Sequence, residues 1–255
     1  MRTNAIIRIA IYSLVILVLV SLLLMGLGIG VFAFDSGTVL TTGTGSVDAA
    51  GIRSLEIEWV SGSVTVRTGD TDSITFSESG NFKDSQAMVF EDQNGTLRLS
   101  YAKSVFGFRF GSLPSKDLVI TVPEDWDCRT MEFDGAALEI SIEGISVREL
   151  DLDGAAAQVY INGAVEMLNC DGAACEITWN CTERPREIDL DGADCRLELT
   201  LPKDCGFLVR MDGLSCDFDS DLDYTGDKGE YGYGDHYCRV DADGISCKVV
   251  IHQAE

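Results

Sequence analysis

The chain has 255 residues, 45% of them hydrophobic, with 26 Gly, 4 Pro and a formal charge of −23. That length supports one or two domains with a real core, and the composition excludes a disordered or collagen-like chain. All acidic residues lie at or beyond Asp35, so residues 35–255 carry −25 from 17 basic and 42 acidic side chains, which argues against a nucleic-acid backbone or an anionic lipid surface as partner and fits cations, basic partners or solubility.

From Ile9 to Phe34 no residue is charged, and Leu14–Val20 and Leu22–Leu24 are continuous Leu, Val and Ile. As a helix this run is about 39 Å long at ~1.5 Å per residue, more than the ~30 Å hydrocarbon core. It has no polar face, unlike a helix packed on a soluble core. A secretory signal cleaved after Ala33 is the rival, but the run exceeds the roughly 7–15 residues of a signal h-region. The expectation is an uncleaved signal-anchor over 9–34. Arg2 and Arg8 place residues 1–8 in the cytoplasm and the bulk of the chain outside the cell membrane, single-pass. Residues 35–50 are rich in Gly, Ser and Thr and read as a flexible tether.

Residues 51–123 read as an N-terminal β-strand region. Leu55–Val60, Ser63–Arg67, Ser73–Ser77, Leu97–Tyr101 and Leu118–Val122 are β-rich, with turns at Ser61-Gly62, Gly69-Asp70 and Asn94-Gly95. Residues 124–255 carry a repeat. Asp-Gly occurs at Asp134, Asp153, Asp171, Asp191, Asp212 and Asp243, at intervals of 19, 18, 20, 21 and 31. One residue before each Asp stand Phe133, Leu152, Cys170, Leu190, Met211 and Ala242. Three after each Gly stand Leu138, Ala157, Cys175, Cys195, Cys216 and Cys247. The alternation has period two on both sides of the Asp-Gly corner, with Glu139, Gln158, Glu176, Arg196, Asp217 and Lys248 outward. Each unit is therefore strand, corner, strand, with Gly expected to supply a positive φ. The expected fold is all-β: a parallel β-solenoid, β-helix-like, of about 20-residue units, with 51–123 as its start or cap. An antiparallel meander of Asp-Gly hairpins is the rival. The longest insertion, Asp219–Tyr237, is expected to form a hairpin or loop before the last unit.

The layout resembles the putative-adhesin family of bacterial membrane-anchored surface proteins, a β-strand-repeat domain of unknown function. The likeness covers about 50–255. It rests on Leu55–Arg67 (LEIEWVSGSVTVR), on the strand–Pro junctions Leu118–Pro123 (LVITVP) and Leu197–Pro202 (LELTLP), and on the strand–Gly–strand repeats. The resemblance implies a β-solenoid-like fold and an envelope location, and no established chemistry. Abundant inward Cys is a departure that family membership does not explain.

The corner Asp residues form a file that attracts counter-cations, with Glu132, Asp151, Asp189 and Asp241 adding to the field. The readings are a Ca²⁺-binding edge or solvated turn residues. Asp219, Asp221, Asp223, Asp227 and Glu230 match the 1, 3, 5, 9, 12 spacing of an EF-hand loop, but Tyr224 occupies the turn position and the flanks read as strands. A looser Ca²⁺ loop and a solvated acidic hairpin are the two readings. Tyr224, Tyr231, Tyr233 and Tyr237 crowd the same loop, either as a contact surface for a partner or packed on the repeats. Nine Cys lie between Cys128 and Cys247 without a CxxC; they read as buried free thiols, with disulfides as the alternative. His236 and His252 are the only histidines, and no nucleophile elbow, phosphate loop or metalloprotease motif is present. The expected role is therefore non-enzymatic: a cell-surface adhesin or scaffold presenting an acidic surface to a protein or glycan partner. The alternatives are an envelope-stress sensing or regulatory module, in which Gly26, Gly28 and Gly30 let the membrane helix approach another closely, and a Ca²⁺-dependent polysaccharide-active enzyme.

Overall fold

The computed structural model describes residues 38–39, 43–102 and 114–254. The expected membrane segment, Ile9–Phe34, lies outside the described residues; among those described, no helix is long and apolar enough to cross a membrane. The N-terminal part contains β1 (Thr38–Val39), β2 (Thr44–Asp48), β3 (Ser54–Glu58), β4 (Ser61–Gly69), β5 (Ser73–Gly80), β6 (Val89–Gln93), β7 (Thr96–Ser100) and β8 (Lys116–Pro123). The repeat part contains β9 (Cys128–Gly135), β10 (Ala137–Cys181), β11 (Glu187–Leu201), β12 (Phe207–Gly213), β13 (Asp217–Ser220), β14 (Thr225–Asp227), β15 (Glu230–Tyr233) and β16 (Cys238–Gln253). Thr44–Asp48, within the stretch read as a tether, is a strand paired antiparallel with β5.

The fold is all-β, a mixed 16-stranded sheet. The expectation of a parallel β-solenoid is corrected on this point. The Asp-Gly units do pair in parallel and in register: Asp134 with Asp153, Asp171 with Asp191, and Asp191 with Asp243. At the ends, however, antiparallel strands take over. β6 pairs β7, β5 pairs β8 and β2, and β15 pairs β12 and β14. Period-two alternation is common to both kinds of ladder, so it cannot distinguish them. The antiparallel strands cover edges that a uniform parallel stack leaves open.

Each repeat unit forms a rung: one leg up to Asp-Gly, a corner, and a second leg. Inward residues of both legs build the core, including Leu150, Leu152, Ile188, Leu190, Leu197 and Leu199, all buried. Burying a side chain of this size stabilises by about 1.5–3 kcal/mol. The three Trp indoles are buried and each donates to a backbone carbonyl: Trp59 to Lys116, Trp126 to Ile52, and Trp179 to Gly163. A buried indole N–H needs such a partner.

The corner glycines work differently from the sequence expectation. None of the six has positive φ. Instead a Cβ at Gly135, Gly154, Gly192, Gly213 or Gly244 would fall inside the 3.0 Å limit of a backbone oxygen on the neighbouring rung: Trp59, Gly135, Gly172, Gly244 and Gly192 respectively. Gly is required there because two backbones approach closely, a second use of the missing side chain.

The rungs do not stack in chain order. β16 lies between β11 and β12, so the Asp212 rung is outermost at one end. The predicted hairpin, β14–β15, precedes β16 and pairs with β12 on its outer side. The placement has a physical reason. β16 continues unbroken through its corner, whereas Ser215 at φ 85° interrupts the rung made by β12 and β13. An interrupted rung inside the stack would leave unpaired backbone on two neighbours rather than one. The opposite end is built alike: β7 lies outside β3, and β8 outside β4.

Candidate functional site: the carboxylate ladder

Outward residues of the first leg form two acidic columns. At the corner, Glu58 pairs Asp134, followed by Asp153, Asp171, Asp191, Asp243 and Asp212. Two residues upstream, Glu56 pairs Glu132, followed by Asp151, Asn169, Asp189 and Asp241. In-register strands hold like residues about 4.8 Å apart, where two unit charges in water repel by roughly 0.9 kcal/mol. The carboxyls respond. Burial raises the pKa of Asp153, and Asp171, Asp134 and Asp151 raise it further. Burial also raises Glu132, Asp189 and Asp243, again with neighbouring carboxylates adding to the shift. Some relief comes from within: Asn169 donates to Asp151 Oδ1 at 2.7 Å, and Arg98 pairs with Glu56. The register makes the array that the Asp-Gly spacing predicts, and adds Glu58 and Glu56 to its end.

A shallow groove of about 770 Å³ runs across the rungs on the second leg, beside the corners. Ser63, Asp117, Gln158, Glu176 and Arg196 line it, above small residues such as Ala156. Beneath this face lies the thiol column. Cys175 pairs Cys195, which pairs Cys247, and no disulfide joins any of the nine Cys. Hydrogen bonding with Cys175 and Cys195, together with burial, pushes the pKa of the Cys170 thiol up.

The acidic loop is placed around β14–β15. Asp219 Oδ1 accepts from the Ser220 N–H at 2.9 Å, and Asp221 Oδ2 lies 3.1 Å from His252 Nδ1. Asp227 faces Glu230 across the hairpin, Glu230 binds Arg210 at 3.3 Å, and Asp223 is exposed. The loop thus spreads these carboxylates among separate partners. Among the described residues, no group of three or more His, Cys, Asp or Glu is placed to hold a metal ion.

Three of the four tyrosines pack inward. Tyr231 stacks on Phe218 at 4.8 Å, Tyr224 meets the same ring edge-on at 4.9 Å, and Tyr233 lies 5.8 Å from Phe207. Together they close the end of the core. Tyr237 is exposed, with the Arg184 guanidinium 4.1 Å over its ring and Arg184 bonded to Asp235. That hydrogen bond holds the Asp235 carboxyl below the usual range. Tyr237→Ala should therefore change stability by less than about 1 kcal/mol, as expected for an exposed side chain. A thermal melt checks this; a larger loss would make Tyr237 part of the end cap.

Sequence reasoning missed one buried cluster. Lys116 and Glu78 are both fully buried and paired at 2.6 Å. The signal was present: alternation through Leu118, Ile120 and Val122 runs back to an inward Lys116.

Fold and surface together define a class: an all-β protein with a mixed sheet and an in-register acidic face. No family model matches the chain, and no curated protein matches it. Among solved structures, it is similar to one described as a putative cell adhesion protein from Clostridium sporogenes, at 13% identity and a TM-score of 0.51, covering 83% of this chain and 98% of that one. A structure described as a putative adhesin from Bacteroides fragilis aligns at 11% identity and a TM-score of 0.43, covering 88% and 100%. One described as a putative lipid binding protein from Parabacteroides distasonis aligns at 13% identity and a TM-score of 0.32, covering 83% and 96%. The first of these likenesses shows a shared fold.

Proposed function

We propose that this chain is a non-enzymatic cell-surface or envelope protein, anchored by its N-terminal segment, that presents the carboxylate ladder to a basic partner or to cations. The observation that carries the reading is the in-register pairing of Asp134, Asp153, Asp171, Asp191, Asp243 and Asp212. A regular array of like charges is expensive to fold around and is compensated when a polycation or divalent ions neutralise it. The shared fold with a protein described as a putative cell adhesion protein supports the surface role. Protein or glycan partners with regularly spaced amines fit this face best.

The combined variant Asp153→Asn, Asp171→Asn and Asp191→Asn tests the reading. It should fold with an unchanged or higher melting temperature and lose adherence of displaying cells to amine-bearing surfaces. Undiminished adherence by the folded variant would overturn it. Calorimetric titration of the wild-type protein with Ca²⁺ separates the two ligand classes: saturable heat with a melting temperature that rises with Ca²⁺ concentration would favour cations. Absence of both at millimolar Ca²⁺ would leave basic macromolecules as the ligand class.

A further inference from the structure

The Lys116–Glu78 pair is sealed inside the N-terminal part of the fold, with every polar partner fixed. Both side chains are inaccessible to water, with Nζ 2.6 Å from Glu78 Oε2. The Lys116 amine also donates to the carbonyls of Gln86 and Tyr101, which fix its direction. Three aromatic rings wall it in: Tyr101, Trp59 and Phe82, with centroids 4.1, 4.7 and 4.9 Å from Nζ. The other Glu78 oxygen, Oε1, accepts the Met88 N–H at 2.7 Å. The site thus holds an amine against a carboxyl group, shielded from solvent, with a backbone donor on the oxygen that must take up negative charge. We propose that Lys116 and Glu78 condense to an intramolecular amide that ties β5 to β8.

The step balances without a co-reactant. A proton passes from Lys116 Nζ to Glu78 Oε2, leaving a neutral amine beside a carboxylic acid. The nitrogen lone pair attacks Glu78 Cδ and the C–N bond forms. Negative charge develops on Oε1, where the Met88 N–H stabilises it as an oxyanion donor does. A second proton moves from nitrogen to the Oε2 hydroxyl, the C–O bond breaks, and one water leaves. The remaining amide N–H keeps a backbone carbonyl as acceptor.

Two features drive the reaction forward. Burial lowers the Lys116 pKa, against the opposing hydrogen bond to Glu78, and so favours the nucleophilic form. Fixed contact replaces a bimolecular encounter, for which effective molarities reach about 10⁵–10⁸ M. Exclusion of water then protects the product from hydrolysis. β5 and β8 are antiparallel neighbours with Gly80 opposite Lys116, so the bond joins strands already held in place.

Peptide mapping of the denatured full-length wild-type chain is the test. The expected species is a branched peptide joining the segments that contain Glu78 and Lys116, about 18 Da (one water) lighter than their sum. Trypsin should fail to cut after Lys116. Lys116→Arg removes the nucleophile, so its digest should contain only linear peptides. If that variant does not fold, the wild-type map still decides: a linear peptide ending at Lys116 as the main species would overturn the proposal.

Discussion

Gly244→Ala is expected to lower the unfolding free energy by about 3 kcal/mol, the upper end of the overpacking range, and the melting temperature by roughly 6–12 °C. The added Cβ would meet the Gly192 carbonyl oxygen and carbon on one side and the Cys247 sulfur on the other. The carbonyl belongs to a strand paired along its whole length with β16, so it cannot retreat without opening the ladder. Gly172→Ala is the matched control. Its nearest neighbour, the Gly154 oxygen, would be 3.1 Å away. A shift of a few tenths of an ångström accommodates that contact, so the loss should stay within about 1 kcal/mol. Thermal melts of the two variants followed by circular dichroism make the comparison. Equal losses would show that the close approach of neighbouring rungs does not set the cost of a side chain at the corner.

The second large effect concerns pH, with a sign opposite to ordinary acid denaturation. Glu58, Glu132, Asp134, Asp153, Asp189 and Asp243 all have pKa values raised in the folded chain, burial being the largest cause in each. Such groups bind protons more tightly folded than unfolded, so stability grows as pH falls. The gain begins when pH drops through the raised folded values and is complete below the ordinary values of 3.8 for Asp and 4.5 for Glu. Asp235 opposes it, because its lowered pKa costs stability on acidification. The melting temperature should therefore rise as pH is lowered from 7.5 toward the ordinary carboxylate values. Added salt should raise it slightly at pH 7.5 and less at pH 5, since screening relieves only the carboxylate repulsion that adds to the burial cost, and protonation removes both. A melting temperature that falls steadily from pH 7.5 to pH 5 would mean that the ladder carries little net repulsion.

Much of this was readable from residue order. Alternation at Leu152 and Leu190 marked inward positions, and both are buried. The Asp-Gly spacing located the corners, and the columns beside them are in register. Three features were not readable, each for a physical reason. Strand direction was hidden because parallel and antiparallel legs share the same period of two. Rung order was hidden because Val209–Gly213 and Val240–Gly244 carry nearly the same pattern, and only the break at Ser215 distinguishes an outer rung. The tyrosine loop presented four equivalent aromatics, yet three of them close the core around Phe218 and Phe207, a contact between segments that no local pattern records.

The insertion of β16 between β11 and β12 constrains how the chain can fold as it emerges. Cys238–Gln253 follows both β11 and β12 in the chain, yet it fills the slot between them. Until it arrives, the open seam of β11 faces β12, its neighbour in sequence with a matching Asp-Gly corner. Docking there gives a premature contact on one leg only, which must detach before the native order can form. Assembly therefore cannot run as a zipper from the N-terminus. It waits on β16, and a chain truncated after Tyr237 would lack the rung that separates β11 from β12.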